Sequence, residues 1–116
     1  MRANRRRGEI EAEFDGEPKV LCLTLGALAE LETAFGVDDL GALATRFGAG
    51  KLSAGDAIKV IGAGLRGAGA ATSDDDVAAM GRHDGAIGFA AVVADLLAAA
   101  FGGGGEDAAN PPPPRA

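Results

Sequence analysis

The first 36 residues constrain the fold most, because two different hydrophobic periods follow one another with a turn signal between them. Residues 9–14 alternate polar and apolar side chains, which is the period of a half-buried strand. Asp15-Gly16 comes next and is a strong hairpin signal, although Pro18 leaves open a turn of four residues. A second apolar run over 19–24 leads into an amphipathic segment. The pattern predicts a β-hairpin followed by a helix.

Two helices are predicted directly after the hairpin. Thr24 is placed to cap the first, over residues 25–35, and Gly36 is a natural stop. The second is predicted over residues 39–47, with Asp38 as its cap. The apolar residues expected to face the core from these helices are Leu25, Leu28, Leu31, Phe35, Leu40, Leu43 and Phe47.

Three further helices are predicted in the second half of the chain. Ser53 and Asp56 have the spacing of a capping box, and they open a helix over residues 54–67. Ser73 is placed to cap a short fourth helix. The fifth helix, over residues 86–101, is apolar around most of its circumference.

These elements predict an α+β fold, in which an N-terminal β-hairpin precedes a bundle of four to five short helices. The 116 residues fit one domain, expected over residues 8–101. Residues 1–7 are predicted to be a basic, flexible N-terminus, and residues 102–116 a disordered tail rich in Gly and Pro. With 19 Gly and no Trp or Tyr, the core buries little area per residue. We therefore expect a marginally stable monomer, or one that a partner stabilises.

The charge distribution indicates which partners fit the chain. The net charge is −6, and the N-terminal Arg cluster holds four of the eleven basic residues, so the remainder is strongly acidic. An acidic body argues against nucleic acid as the main partner. The longest apolar stretch, residues 86–101, is shorter than the roughly 20 residues of a membrane span, and no signal peptide is visible. A cytoplasmic protein, or a component of a virion-like particle, is expected, with no membrane partner.

One segment matches a nucleotide-binding motif literally. Gly62, Gly64 and Gly67 have G-x-G-x-x-G spacing after a β-branched run. In a dinucleotide site these glycines let the pyrophosphate approach a helix N-terminus, but that motif needs a parallel strand on either side. A helix is predicted here instead, which favours close helix packing as the role of these small residues. An enzymatic nucleotide-binding fragment remains the less favoured alternative.

The other reactive side chains lack the spacing of a catalytic or metal site. His83 and Asp84 are adjacent, so they do not face each other on a helix. The acidic run 74–76 lacks the spacing of a calcium loop and suits a helix N-terminus. Cys22 is a lone thiol on a strand, for which a buried structural role is the default. The carboxylate row on the first strand, Glu9, Glu11 and Glu13, is typical of a solvated face opposite Ile10, Ala12 and Phe14. We predict no enzyme, no cofactor and no metal.

The fifth helix is the remaining candidate for function. A domain of this size has difficulty surrounding a helix that is apolar on nearly every side. Either the other helices cover it, or part of its surface docks a partner in the helix-in-groove mode. The candidate partner-binding residues are Ile87, Phe89, Val92, Val93, Leu96, Leu97 and Phe101.

Several segments carry a resemblance to a known family. They are the opening Ala3-Asn-Arg-Arg-Arg-Gly-Glu9, the hairpin, the helix over 25–35 and the later Gly64-Leu-Arg-Gly-Ala-Gly69. With them, the chain resembles the small gene-transfer-agent family of phage-type tail proteins over roughly residues 3–101. These are classed with tail-assembly chaperones and are encoded in tail gene clusters of alphaproteobacteria.

The resemblance implies a non-enzymatic role in building a tail. Such chaperones coat the long hydrophobic tape-measure protein, keep it soluble and deliver it to the tail-tube proteins. The resemblance therefore implies the tape-measure protein and tail-tube proteins as partners, with homo-oligomers also open. The family has been labelled a tail-tube component too, so a structural tail-tube or tail-completion subunit is the alternative.

Overall fold

A computed structural model of the chain describes residues 3–4, 7–48 and 51–102. The elements, in chain order, are β1 (Glu9–Phe14), β2 (Glu17–Cys22), α1 (Leu25–Phe35), α2 (Leu40–Gly48), α3 (Ala54–Gly67), α4 (Asp74–Ala78) and α5 (Gly85–Leu97), followed by a π-helical turn over Ala98–Gly102. The predicted α+β class is confirmed, with the hairpin first and the helices packed against one of its faces. The predicted C-terminal tail lies outside the described residues, apart from Gly102.

The hairpin closes with a two-residue turn. β1 and β2 pair antiparallel, and Phe14 lies opposite Glu17. Asp15 and Gly16 both have positive φ angles, 54° and 80°, as a type I′ turn requires. Pro18 already belongs to β2, where an edge strand tolerates a residue without an N–H group. The four-residue turn is therefore excluded.

The alternation of β1 separates a buried face from a solvated one, as predicted. Ile10 and Phe14 are buried and Ala12 is half-buried, whereas Glu11 and Glu13 are exposed. The Phe14 ring stacks on Phe89 of α5, with 6.0 Å between the ring centroids. The hairpin therefore supplies one wall of the core rather than an independent sheet.

Helix α1 begins and ends where predicted, but its buried face is narrower. The Thr24 hydroxyl accepts a hydrogen bond from the Ala27 N–H, and Gly36 ends the helix in the left-handed region, with φ 67°. Leu28 and Leu31 are buried. Leu25 is 76% exposed, so its predicted inward position is wrong. The helix turns the side that carries Ala27 and Leu28 to the core, and Leu25 lies about 100° away from that side.

Helix α2 differs from its prediction at the first turn. Asp39, not Asp38, is the cap, because its carboxylate accepts a hydrogen bond of 2.7 Å from the Ala42 N–H. Leu43 is fully buried, and Phe47 is half-buried against the edge of the Phe35 ring. Leu40, predicted to face inward, is 42% exposed, because it begins the helix at the rim of the domain.

Helix α3 is the element around which the others pack. Its N-terminus has the predicted capping box, in which Ser53 and Asp56 each accept a hydrogen bond from the other's backbone N–H. A Cβ at Gly64 would lie 2.7 Å from Leu96 of α5, and a Cβ at Gly67 would overlap the Cys22 carbonyl oxygen. The helix backbone therefore lies directly against β2 and α5, and the predicted packing role of these glycines is confirmed.

The loop before α5 is tied to the hairpin turn by polar contacts. Asp15 accepts a hydrogen bond of 2.9 Å from the Gly81 N–H and donates its own N–H to the Gly81 carbonyl. Arg82 donates to the Glu13 carbonyl oxygen and forms a two-pronged ion pair with Asp84. The bonds to Asp15 and to the Glu13 carbonyl join residues more than 60 positions apart, and they hold the start of α5 over the hairpin.

Other ion pairs link the helices. Arg66 of α3 pairs with Glu30 of α1 and with Asp74 of α4. Arg46 of α2 pairs with Asp56 at the start of α3. All of these groups are partly exposed, so each pair orients neighbouring helices more than it stabilises them.

Two residues of the basic N-terminal segment are tied to β1. Asn4 donates its N–H to the Glu9 carboxylate, and its carbonyl accepts from the N–H groups of Arg7 and Glu9. Arg2, Arg5 and Arg6 lie outside the described residues. The division into a basic terminus, a domain and a tail stays a prediction.

The close approach of α3 to β2 makes the effect of a methyl group predictable. Ala is favoured over Gly in a helix interior, yet we expect Gly67→Ala to lower the free energy of unfolding by about 1–3 kcal/mol, because the added Cβ forces the Cys22 carbonyl away. Gly55→Ala in the same helix is the matched control, since its Cβ would be 3.7 Å from Ser53 Oγ. In urea unfolding, the free energy of unfolding of Gly55→Ala should equal or exceed that of the natural chain. Equal stabilities of the two variants would contradict the close contact.

The capping box of α4 predicts a loss of stability in acid. Hydrogen bonds from the Ser73 backbone N–H and hydroxyl lower the pKa of Asp76. A lowered pKa in the folded state adds stability above the unfolded value of about 3.9, and this is lost as the pH falls through the folded value. Asp76→Asn keeps an acceptor for Ser73 but does not titrate. Thermal unfolding between about pH 5 and 2 should show a smaller acid loss for this variant. Identical acid profiles would contradict the prediction.

Candidate partner-binding surface

The seven residues predicted to bind a partner divide into three groups by exposure. Val92, Val93 and Leu96 are buried in the core, so these three are not on the surface of the folded chain. Phe89, Leu97 and Phe101 are half-buried. Ile87 is 82% exposed. Helix α5 therefore has both kinds of surface: the core covers one side, and the other side is exposed.

Helix α5 is shorter than predicted and its last turn is different. It covers Gly85–Leu97 instead of 86–101, and the chain continues as the π-helical turn. Gly85 has a φ of 66°, a conformation that begins the helix without a side-chain cap. The wider final turn carries Phe101, which packs against the core edge.

The uncovered side of α5 is a narrow apolar stripe. Ile87, Ala91, Ala94 and Ala98 are all exposed, and their spacings of four, three and four place them on one face. The stripe has one large side chain at its N-terminal end and only methyl groups beyond it. Helices whose contact surface consists of small residues can approach one another closely.

A groove follows this stripe toward the C-terminal end of α5. It has a volume of about 300 Å³ and separates α5 and the π-helical turn from α2. Its walls are apolar: Ala44, Phe47, Gly48, Ala94, Leu97, Ala98 and Phe101. Two of the predicted partner-binding residues, Leu97 and Phe101, thus lie beside α2. The α2 side of the groove includes Phe47, which the sequence predicts to face the core.

The contribution of α2 had a signal in the sequence. Leu40, Ala44 and Phe47 have spacings of four and three, so they share one side of the helix. Leu43 is the only fully buried residue of this helix. A second apolar side next to the buried one indicates a helix that is not completely covered.

Phe89 contacts a different cleft. It lies with Ile58, Ile61, Val77 and Met80 around an apolar cleft of about 180 Å³ between α3, α4 and α5. This cleft is smaller than a usual cofactor site and its lining offers no charged group. It is best explained as a packing gap between helices of small residues.

The structure places the glycine motif where no nucleotide could use it. Gly62, Gly64 and Gly67 all lie within α3, so the helix already uses their N–H groups. A phosphate site needs free N–H groups at the first turn of a helix. The space in front of Gly64 and Gly67 is filled by Leu96 and by the Cys22 carbonyl.

The titratable side chains have structural partners. Burial raises the pKa of Cys22, which disfavours the reactive thiolate, and the thiol contacts the Arg7 carbonyl. The ion pair with Arg82 lowers the pKa of Asp84. His83 is exposed, with its ring 4.0 Å from the Asp84 carboxylate. In residues 3–4, 7–48 and 51–102 no three His, Cys, Asp or Glu side chains are grouped to hold a metal. None of the helices that the structure describes has the length and apolarity needed to cross a membrane.

Comparison with known proteins places this architecture in a family. The family model described as "Phage tail tube protein, GTA-gp10" matches residues 7–103, which is nearly the whole described chain. No curated protein and no solved structure matches the chain. The matched segment contains the hairpin, all five helices and the groove between α2 and α5. The chain therefore belongs to the GTA-gp10 family of phage tail tube proteins, as its resemblance to gene-transfer-agent tail proteins predicted.

Proposed function

We propose that this chain is a non-enzymatic tail-assembly chaperone that binds and solubilises the tape-measure protein while the tail is built. The observation that carries the proposal is the uncovered apolar side of α5, with Ile87 82% exposed at one end and the half-buried Leu97 and Phe101 at the other. An amphipathic helix from the partner would cover that side. The tail-tube proteins are proposed as the partners that later receive the tape-measure protein.

The scarcity of exposed large apolar side chains supports a reversible contact. In the described part of the chain they are Leu25, Leu40 and Ile87, on three different helices. Permanent subunit interfaces bury about 2,000 Å² or more and are apolar at their centre. A narrow apolar stripe on an acidic surface fits a partner that binds and then dissociates. An acidic body also keeps a chaperone and its bound hydrophobic client apart from other copies.

The family description supports a second candidate function, a structural tail-tube or tail-completion subunit. Such a subunit would form homo-oligomeric rings, and the stripe on α5 would be a contact between copies. Mass spectrometry on purified particles distinguishes the two functions. Many copies of this chain per particle would identify a structural subunit. If the producing cells contain the chain but the purified particles do not, the result would support the chaperone.

Co-expression with the tape-measure protein of the same gene cluster tests the chaperone directly. We expect more tape-measure protein in the soluble fraction with this chain than without it. Ile87→Asp should reduce that gain, because a charge at the exposed end of the stripe must be desolvated on binding. Leu25→Asp, at a residue of similar exposure on α1, is the matched control and should keep the gain.

The same experiment has a clear negative outcome. If the natural chain leaves the tape-measure protein insoluble, the chaperone function is wrong. If both variants retain the full gain, the chaperone function stands and the assignment to α5 is wrong. Thermal unfolding of both variants should first show that they fold, since both side chains are largely exposed.

A further inference from the structure

The outer edge of β1 has no neighbouring strand in the part of the chain that the structure describes. The sheet contains β1 and β2 only, so β1 pairs on one side. The two-residue turn makes Phe14 and Glu17 a hydrogen-bonded pair, and backbone groups alternate in direction along a strand. The N–H and C=O groups of Glu9, Glu11 and Glu13 therefore point away from β2.

Other segments of the chain bind both ends of this edge and leave its middle open. The Glu9 N–H donates to the Asn4 carbonyl oxygen, and the Glu13 carbonyl oxygen accepts from Arg82. Between these bonds lie the Glu9 C=O, both backbone groups of Glu11 and the Glu13 N–H, and no hydrogen bond joins them to a described residue. This stretch of β1, over residues 9–13, is the free edge. It can pair with an added strand of about five residues.

The free edge opens onto a cleft beside α5. The cleft has a volume of about 400 Å³. Its lining includes Glu11, Ala12 and Glu13 from the strand, and Gly88, Ala91 and Val92 from the helix. Helix α5 lies on the core side of the hairpin, where Phe89 stacks on Phe14. A strand added to β1 would therefore have α5 beneath one of its faces, with small residues there to make room for its side chains.

The other face of an added strand would lie beside carboxylates. Glu11 is exposed and lines the cleft, and its partner across the hairpin is the uncharged Val20. Within the described residues no ion pair involves the Glu11 carboxylate. Arg82 and Asp95 also line the cleft, but Arg82 is engaged in the contacts that fix the start of α5, and Asp95 has an interaction of its own. Opposite charges directly across a strand pair are stabilising, so Lys or Arg is favoured opposite Glu11.

The same charges argue against a second copy of this chain as the occupant. Two copies of β1 paired antiparallel would place their glutamate rows against each other, and like charges directly opposite are destabilising. The edge of β2 is unsuitable too, because Pro18 has no N–H and the Cys22 carbonyl oxygen lies against Gly67 of α3. Charged side chains on an edge strand prevent pairing between copies. The occupant is therefore expected from another protein.

We propose that the free edge of β1 binds an extended segment of a partner protein, which pairs antiparallel with residues 9–13 and places Lys or Arg opposite Glu11. The residues on either side of that cation point toward α5, where small apolar side chains such as Ala or Val fit. In this mode, backbone hydrogen bonds supply affinity and alternate side chains supply specificity. The inference goes beyond the proposed function, because the site takes a strand at the hairpin rather than a helix on α5.

A set of labelled peptides tests the strand geometry with the full chain. The first peptide is Thr-Val-Lys-Val-Thr with blocked ends, and the second carries Glu in place of Lys. A third is N-methylated at the Lys amide, whose N–H would donate to the Glu11 carbonyl oxygen. The fourth is N-methylated at the Val after Lys, whose N–H would point away from β1, and it is the matched control.

NMR titration should give the tightest binding for the Lys peptide. N-methylation of the Lys amide should weaken binding at least about tenfold, because it removes a backbone bond and adds bulk at the paired edge. N-methylation of the Val amide should leave the dissociation constant nearly unchanged. The Glu11 amide should exchange more slowly with solvent when the Lys peptide is bound, whereas the Ala12 amide, already paired with Lys19, should change little.

A substitution in the chain separates the charge from the backbone pairing. Glu11→Gln keeps the strand but removes the carboxylate, so we expect about two- to fivefold weaker binding of the Lys peptide. Glu32→Gln on α1 removes the same charge outside the cleft and is the matched control, which should bind as the natural chain does. Both variants should fold, since neither side chain is buried.

Several results would overturn the proposal. Equal weakening by the two N-methyl groups, or a Glu11 amide that stays unprotected, would show that the peptide does not add a strand to β1. Equal or tighter binding of the Glu peptide would overturn the choice of a cation. A dimer in sedimentation velocity that protects the Glu11 amide without peptide would make a second copy the occupant. None of these measurements involves the tape-measure protein, so this proposal and the chaperone function can fail separately.

Discussion

Helix α3 lies so close to β2 that the Cys22 carbonyl oxygen occupies the space a side chain at Gly67 would need. One turn earlier, Leu96 of α5 and Leu21 of β2 fill the space in front of Gly64. This contact joins the hairpin, the central helix and the last helix into one core. A domain with 19 Gly and few large side chains gains its packing from close approach of backbones rather than from bulky side chains. Helices α1, α4 and α5 all pack against α3, so their positions depend on where α3 is held.

The position of α5 explains why one side of it is uncovered. Its buried side meets α3 and the hairpin through Val93, Leu96 and Phe89, and the contacts of Arg82 with Glu13 and Asp84 fix where it starts. Helix α2, by contrast, contributes one fully buried side chain and packs mainly against α1. The space between α2 and α5 is therefore left as an apolar groove. The proposed binding surface results from the limited number of helices available to surround α5.

The absence of a reactive constellation in the described residues is consistent with a family of tail proteins. Each ionisable group that departs from its usual pKa does so because of a cap, an ion pair or burial of a strand thiol. Those are structural causes. The glycine motif, which alone suggested a cofactor, is accounted for by helix packing.

The sequence by itself determined the local elements, because caps, turns and hydrophobic periods act over a few residues. The hairpin, the caps at Thr24, Ser53 and Ser73, and the family resemblance were all readable from it. Tertiary structure decided which apolar residues are exposed, because period alone does not say how many neighbours surround a helix. It left Leu25 and Leu40 at the surface. It buried Val92 and Leu96, and it placed Phe47 beside Leu97, since only packing brings α2 and α5 together.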